Sequence, residues 1–204
     1  MANVNDMFDE MKNEKSYYVE DTKNNNKKTN SFTPTVEGEY LGHIIEPETR
    51  VVEFKGYKAR VYNFKVKVAP ENNGINYNGK NIGGEFVGRV FRSTGVFRFL
   101  EPGEGDSFQS NPSGNKGYLN FCKALGKECN VVTQTIDGKD VEMKELPTLN
   151  TSDLTGMPVR AVVKQGKKYT NKNGYDAYYM DVKWVNEWSE GSKLEQKDGD
   201  DIPF

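Results

Sequence analysis

Apolar and polar residues alternate over much of residues 36–186, and the alternation predicts strands. Val36 to Ile45 alternates and carries Gly38 and Gly42, which suits a strongly bent strand. Arg50 to Phe54 and Arg60 to Val68 flank Lys55-Gly56-Tyr57, two strand-like runs around a turn, and so predict a hairpin. In the second run Tyr62, Phe64, Val66 and Val68 share a face expected to be buried; Val61, Asn63, Lys65 and Lys67 share a wet one. Residues 70–84, rich in Asn and Gly, read as a loop with a small hairpin. Glu85 to Arg92 is expected as a further strand, with Arg89 and Phe91 on one face. Residues 101–117 read as a long surface loop. The period then changes: Tyr118, Phe121, Cys122 and Leu125 have helical spacing, and Gly126 is a stop signal. Val131 to Val141, around Asp137-Gly138, predicts a small hairpin. Val159 to Lys164 and Tyr175 to Val185 read as strands joined by a basic loop, Gln165 to Gly174; Tyr178, Met180, Val182 and Trp184 are expected to share a face.

The expected class is therefore all-β, a β-rich body with one or two short helices, long loops and disordered termini. Five strands with a helix between the third and fourth follow the order of an OB barrel; a plain β-sandwich has the same strand count and stays open. No βαβ alternation appears, so a parallel α/β sheet is not expected. The body spans 32–188, with an N-terminal arm over 1–31 and an acidic tail over 189–204. In the arm, residues 21–31 are too polar to pack. Val4, Met7, Phe8 and Met11 mark one face of a short helix, either a frayed terminus or a docking element.

Composition removes several function classes. The 204 residues hold only 35% hydrophobic residues, yet 12% aromatics, so a folded part exists beside polar segments. The apolar runs fall short of the roughly 20 residues a membrane helix needs, and the acidic start, Asp6 to Glu14, does not resemble a signal peptide. These point to a cytoplasmic protein, the host cytoplasm if viral, with no membrane partner. Two cysteines and one histidine are too few for a usual zinc site, and Cys122 and Cys129 form no CxxC. His43 is expected as an ordinary strand histidine and Cys122 as core. No P-loop, nucleophile elbow or HExxH is present. The chain thus reads as no enzyme, with no cofactor and no metal.

The net charge of −2 is unevenly spread. From Glu187 onward six acids stand against two lysines, leaving residues 1–186 net positive by two. Within the body, cations recur beside aromatics: Phe54-Lys55-Gly56-Tyr57-Lys58, Arg89-Val90-Phe91-Arg92, Phe97-Arg98-Phe99, Lys167-Lys168-Tyr169. Single-stranded nucleic acid needs this mixture, cations for phosphates and ring faces for bases; strands with core aromatics and solubilising charges share the texture. The residues expected at phosphates are Lys65, Lys67, Arg89, Arg92, Arg160, Lys164, Lys167 and Lys168. Those expected to stack are Tyr57, Phe91, Tyr169, Tyr175 and Tyr179.

The chain ends Asp198-Gly199-Asp200-Asp201-Ile202-Pro203-Phe204. Acids steer such a segment to basic surfaces, Phe204 fills a pocket, and a carboxylate pairs with Arg. This ending resembles the C-terminal tip of bacterial single-stranded DNA-binding proteins. The resemblance implies that Asp198, Asp200, Asp201, Ile202, Pro203 and Phe204 recruit replication, recombination or repair enzymes, such as a polymerase, helicase, nuclease or recombinase. The body differs from that family; Tyr118 to Gly126 and Leu154 to Val163 resemble phage single-stranded DNA-binding proteins with an OB fold. Together these resemblances imply a phage protein that coats and protects single-stranded DNA; the oligomeric state stays open between monomer and dimer. The rival expectation is a structural or protein-interaction β-module of a phage.

Overall fold

A computed structural model describes residues 36–105, 107, 109–110, 114–170, 174 and 176–194. The expected arm over 1–31, Tyr175, and the tip residues Asp198, Asp200, Asp201, Ile202, Pro203 and Phe204 lie outside the described residues.

The first strand, β1 (Gly38–Phe54), bends as its glycines predict. A Cβ at Gly42 would lie 2.5 Å from the Lys67 carbonyl oxygen, so only glycine lets β1 come this close to β2 (Tyr57–Val68). The register slips between Ile45 and Glu48, where Glu46 takes φ of 46°, a bulge that sharpens the bend. A two-residue turn at Lys55 and Gly56, both with positive φ, closes the hairpin. The loop after β2 holds a two-residue ribbon, β3 (Asn76–Tyr77) with β4 (Lys80–Asn81).

The expected strand over Glu85–Arg92 is corrected. Gly83–Phe86 is a 3-10 turn, and the strand that follows comes in two pieces, β5 (Val90–Ser93) and β6 (Val96–Phe99). Two glycines with positive φ mark the breaks: Gly88 between the 3-10 turn and β5, and Gly95 between β5 and β6. Then come α1 (Lys116–Ala124), the hairpin β7 (Asn130–Ile136) and β8 (Lys139–Glu145), and one turn of helix, α2 (Thr151–Leu154). The last two strands are β9 (Pro158–Thr170) and β10 (Asp176–Glu187). Most of the basic stretch expected as a loop, Gln165 to Thr170, is therefore strand.

Strands dominate, and six of them form one sheet in the order β1-β9-β10-β5-β2-β6, with β1 also paired to β2. The sheet thus returns on itself as a ring, β1-β9-β10-β5-β2-β1, and β6 continues β5 along the start of β2. All pairings are antiparallel except β5 with β10. The ring encloses Tyr40, Ile44, Tyr62, Phe64, Val66, Phe91, Val159, Ala161, Val163 and Val182, and α1 contributes Tyr118, Phe121 and Cys122 to the same core. Stacked rings fasten the helix: Phe64–Phe121 at 5.5 Å and Tyr62–Tyr118 at 5.3 Å between centroids. Among the described residues no helix is long and apolar enough to cross a membrane.

Candidate nucleic-acid interface

Strand register decides which side chains leave the ring. On β2 the even positions from Tyr62 to Val68 point inward, so Tyr57, Asn63, Lys65 and Lys67 point out. Pairing carries that outer face onward: Lys65 stands opposite Arg92, Arg92 beside Asp181, and Asp181 opposite Lys164. A row of side chains on four neighbouring strands thus places cations around one acid. Lys183 joins it through an ion pair to Asp181 of 3.0 Å. Gly166 makes room for that acid, because a Cβ there would lie 1.9 Å from Asp181 Oδ2.

Along the strands toward the β1–β2 turn the outer face becomes aromatic. Phe99 registers with Ala59, Phe97 with Val61, and Phe54 with Tyr57. Ala59 and Val61 are buried although they face outward, their cross-strand neighbours being these rings. Phe54 lies 5.7 Å from Phe97 and 6.2 Å from Phe99, and Tyr57 lies 6.1 Å from Phe99, so four rings form one patch. A groove of about 820 Å³ opens beside the patch, lined by Phe97, Phe99 and Phe121, by Trp184, and by Lys123 and Lys183. Trp184 is half exposed. At the other end of the face Tyr169 and Tyr179 bring their rings to 4.5 Å on the β9–β10 ribbon.

Trp184 is a correction to the sequence reading. The β9–β10 register shifts between Val182 and Trp184, so Val182 and Val185 go into the core and Trp184 turns out. Phe91 is corrected in the opposite sense. It pairs with Val66, points inward with it, and packs 4.9 Å from Tyr40, so its ring is core and not open to a base. Arg89, two residues earlier, lies over the buried Phe86 ring at 4.7 Å, apart from the cation row.

Of the other expected residues, Lys65, Lys67, Arg92, Lys164 and Tyr57 share the outer face. Arg160, on the same side of β9, registers with Leu41 and Asn186, and its Nε is buried with no hydrogen-bond partner among the described residues. Lys167, Lys168, Tyr169 and Tyr179 belong to the β9–β10 ribbon, where Lys168 pairs with Asp176 at 2.7 Å. Phe97, Phe99 and Trp184 were absent from the expected stacking set. The first two carried a signal in Phe97-Arg98-Phe99; the third had none, because a bulge is not visible in alternation.

One residue positions the aromatic patch without belonging to it. Asn115, just before α1, accepts from the Phe99 N–H at 2.7 Å and donates to the Phe99 carbonyl at 3.0 Å. It thereby ties the helix start to β6 as a neighbouring strand would.

The groups with displaced pKa values lie away from this face. Burial pushes the Tyr40 phenol up to about 12, against a lowering by Arg89 and by its hydrogen bond to the Val36 carbonyl. Burial, then the Tyr62 hydroxyl, pushes Tyr118 up as well. Burial also raises the Cys122 thiol, which makes it a core group rather than a thiolate nucleophile. The Asn150 backbone N–H, at 2.8 Å, holds the Asp153 carboxylate low. His43 sits nearly buried in β1 with Nε2 3.1 Å from the Ser192 carbonyl.

Comparison with protein-family models, curated proteins and solved structures gives no match for this chain.

Proposed function

We propose that this protein binds single-stranded DNA on the outer face of an OB-type barrel, as a non-enzymatic coating protein of phage replication or recombination. The barrel reading rests on the closed five-strand ring, the parallel β5–β10 joint and the helix between the third and fourth ring strands. The observation that carries the binding reading is the row Lys65, Arg92, Lys164 and Lys183 on the same outer face as the rings of Tyr57, Phe97 and Phe99, with Lys183 and Trp184 lining one groove with Phe97 and Phe99. Phosphates track the cations, and bases stack on rings at about 1–3 kcal/mol each, with little regard to sequence. The ion pairs Lys65–Glu46, Lys164–Glu37 and Lys168–Asp176 are largely exposed and do not block this role, whereas Lys183–Asp181 is half-buried. Exposed pairs are worth about 0–1 kcal/mol, so a phosphate displaces them at little cost. By resemblance, the Asp198 to Phe204 segment recruits partner enzymes.

The test is fluorescence anisotropy with labelled oligo-dT and a matched duplex at two salt concentrations. Full-length protein, a 1–197 truncation and the Phe97→Ala and Trp184→Ala variants are compared. Tight, salt-sensitive binding to dT, lost in the aromatic variants and kept in the truncation, supports the reading. No binding to either nucleic acid, or full affinity in both aromatic variants, overturns it.

A further inference from the structure

The β7–β8 hairpin forms a sheet of its own, with no third strand among the described residues. A lone two-stranded ribbon is marginal in water. Register gives it two unlike faces: Val132, Ile136, Val141 and Met143 on one, Thr133, Thr135, Asp140 and Glu142 on the other. Every residue of β8 is exposed, and a long exposed edge is a template for another strand.

The charges along that edge select the strand. β8 reads Lys139-Asp140-Val141-Glu142-Met143-Lys144-Glu145. Laid antiparallel on a copy of itself about Glu142, it sets Asp140 against the partner's Lys144, Lys139 against the partner's Glu145, and Val141 against the partner's Met143. Two-fold symmetry repeats each pairing, so the joint holds four opposite-charge pairs and two apolar ones. A slip of one residue sets Lys139 against the partner's Lys144, or Asp140 against the partner's Glu145, and like charges directly opposite destabilise a sheet. Beyond the strand, the same register brings the partner's Gly138 beside Leu146. There a cleft of about 610 Å³ opens, lined by Met143, Lys144, Leu146, Glu101 and Lys116.

We infer that β8 pairs antiparallel with β8 of a second copy, centred on Glu142, and joins two chains through a four-stranded sheet. Backbone hydrogen bonds supply the attraction and the charge pattern fixes the register. The one unfavourable contact is Glu142 against the partner's Glu142, on the two-fold axis. This inference is independent of DNA binding.

Sedimentation equilibrium of the full chain without DNA tests it, with thermal melts confirming that each variant folds. The wild type shows a concentration-dependent monomer–dimer equilibrium, and Glu142→Gln shifts it toward dimer. Asp140→Lys and Lys144→Asp each weaken the dimer about tenfold by turning symmetric attractions into repulsions. The double variant restores it, which loss of the Asp140 hydrogen bond to Thr135 within one hairpin would not allow. A wild type that stays monomeric at every concentration overturns the inference. So does a dimer that ignores the single exchanges, or one that the double exchange fails to restore.

Discussion

A Phe91→Ala substitution empties a core site beside Tyr40 and is expected to cost about 3–5 kcal/mol of stability, in line with buried aromatic truncations. Trp184→Ala removes a half-exposed ring and is expected to leave the melting temperature close to wild type while DNA affinity drops. Melting curves beside anisotropy titrations separate the two; a Phe91 variant that folds normally would contradict its place in the core. Neither role was legible in the residue pattern. Arg89-Val90-Phe91-Arg92 shows which side chains share a face but not which face is inside. That depends on Phe91 pairing with Val66, a contact distant in sequence. Asp181 offers a second residue-scale prediction. It occupies a place among cations that a phosphate would take, so Asp181→Asn is expected to raise affinity for oligo-dT at low salt and steepen its salt dependence. A loss of affinity would mean that the carboxylate holds Lys183 in position rather than competing with DNA.

At the scale of elements, alternation read best where strands are long and regular. β2 followed its pattern from Tyr62 to Val68, with Lys65 and Lys67 on the outer face, but Val61, expected to be wet, is buried beneath Phe97. Alternation failed at breaks: the Gly88 turn that delays the start of β5, the Gly95 kink that parts β5 from β6, and the bulge that turns Trp184 outward. It also ended β9 too early, because Lys167, Lys168 and Thr170 are polar on both faces once the ribbon extends past the ring. Such a segment has no buried side to generate a period. Asn115 gave no signal either, since its work is to satisfy the backbone of Phe99 from a loop. Asn115→Ala deletes both bonds, each worth about 0.5–1.5 kcal/mol, and frees the end of β6. It is expected to lower the melting temperature and to weaken DNA binding although Asn115 need not touch DNA. Rescue of affinity, but not of stability, by longer oligonucleotides would show instead that Asn115 contacts the nucleic acid directly.

Over the whole molecule, charge placement outweighs charge total. The chain is net negative by two, yet Lys65, Arg92, Lys164 and Lys183 form one row of four cations on the outer face of the ring. If those four meet phosphates, the logarithm of affinity should fall with the logarithm of salt at a slope of about −3, near −0.7 per contact for a single strand. Lys183→Ala or Lys164→Ala should each flatten that slope by about 0.7. Lys80→Ala, on the separate β3–β4 ribbon, should leave it unchanged. Removing residues 198–204 deletes three acids and takes the net charge from −2 to +1. If that segment opposes DNA only through its field, the truncated protein binds more tightly at low salt. The advantage then fades as ionic strength rises, because the screening length is about 10 Å at 0.1 M and about 3 Å at 1 M. Titrations of both forms across that range decide the matter. Converging affinities identify a long-range field, whereas a constant ratio identifies a segment that sits on the DNA face itself. Weaker binding by the truncated form would overturn the competition and make the segment part of the DNA site.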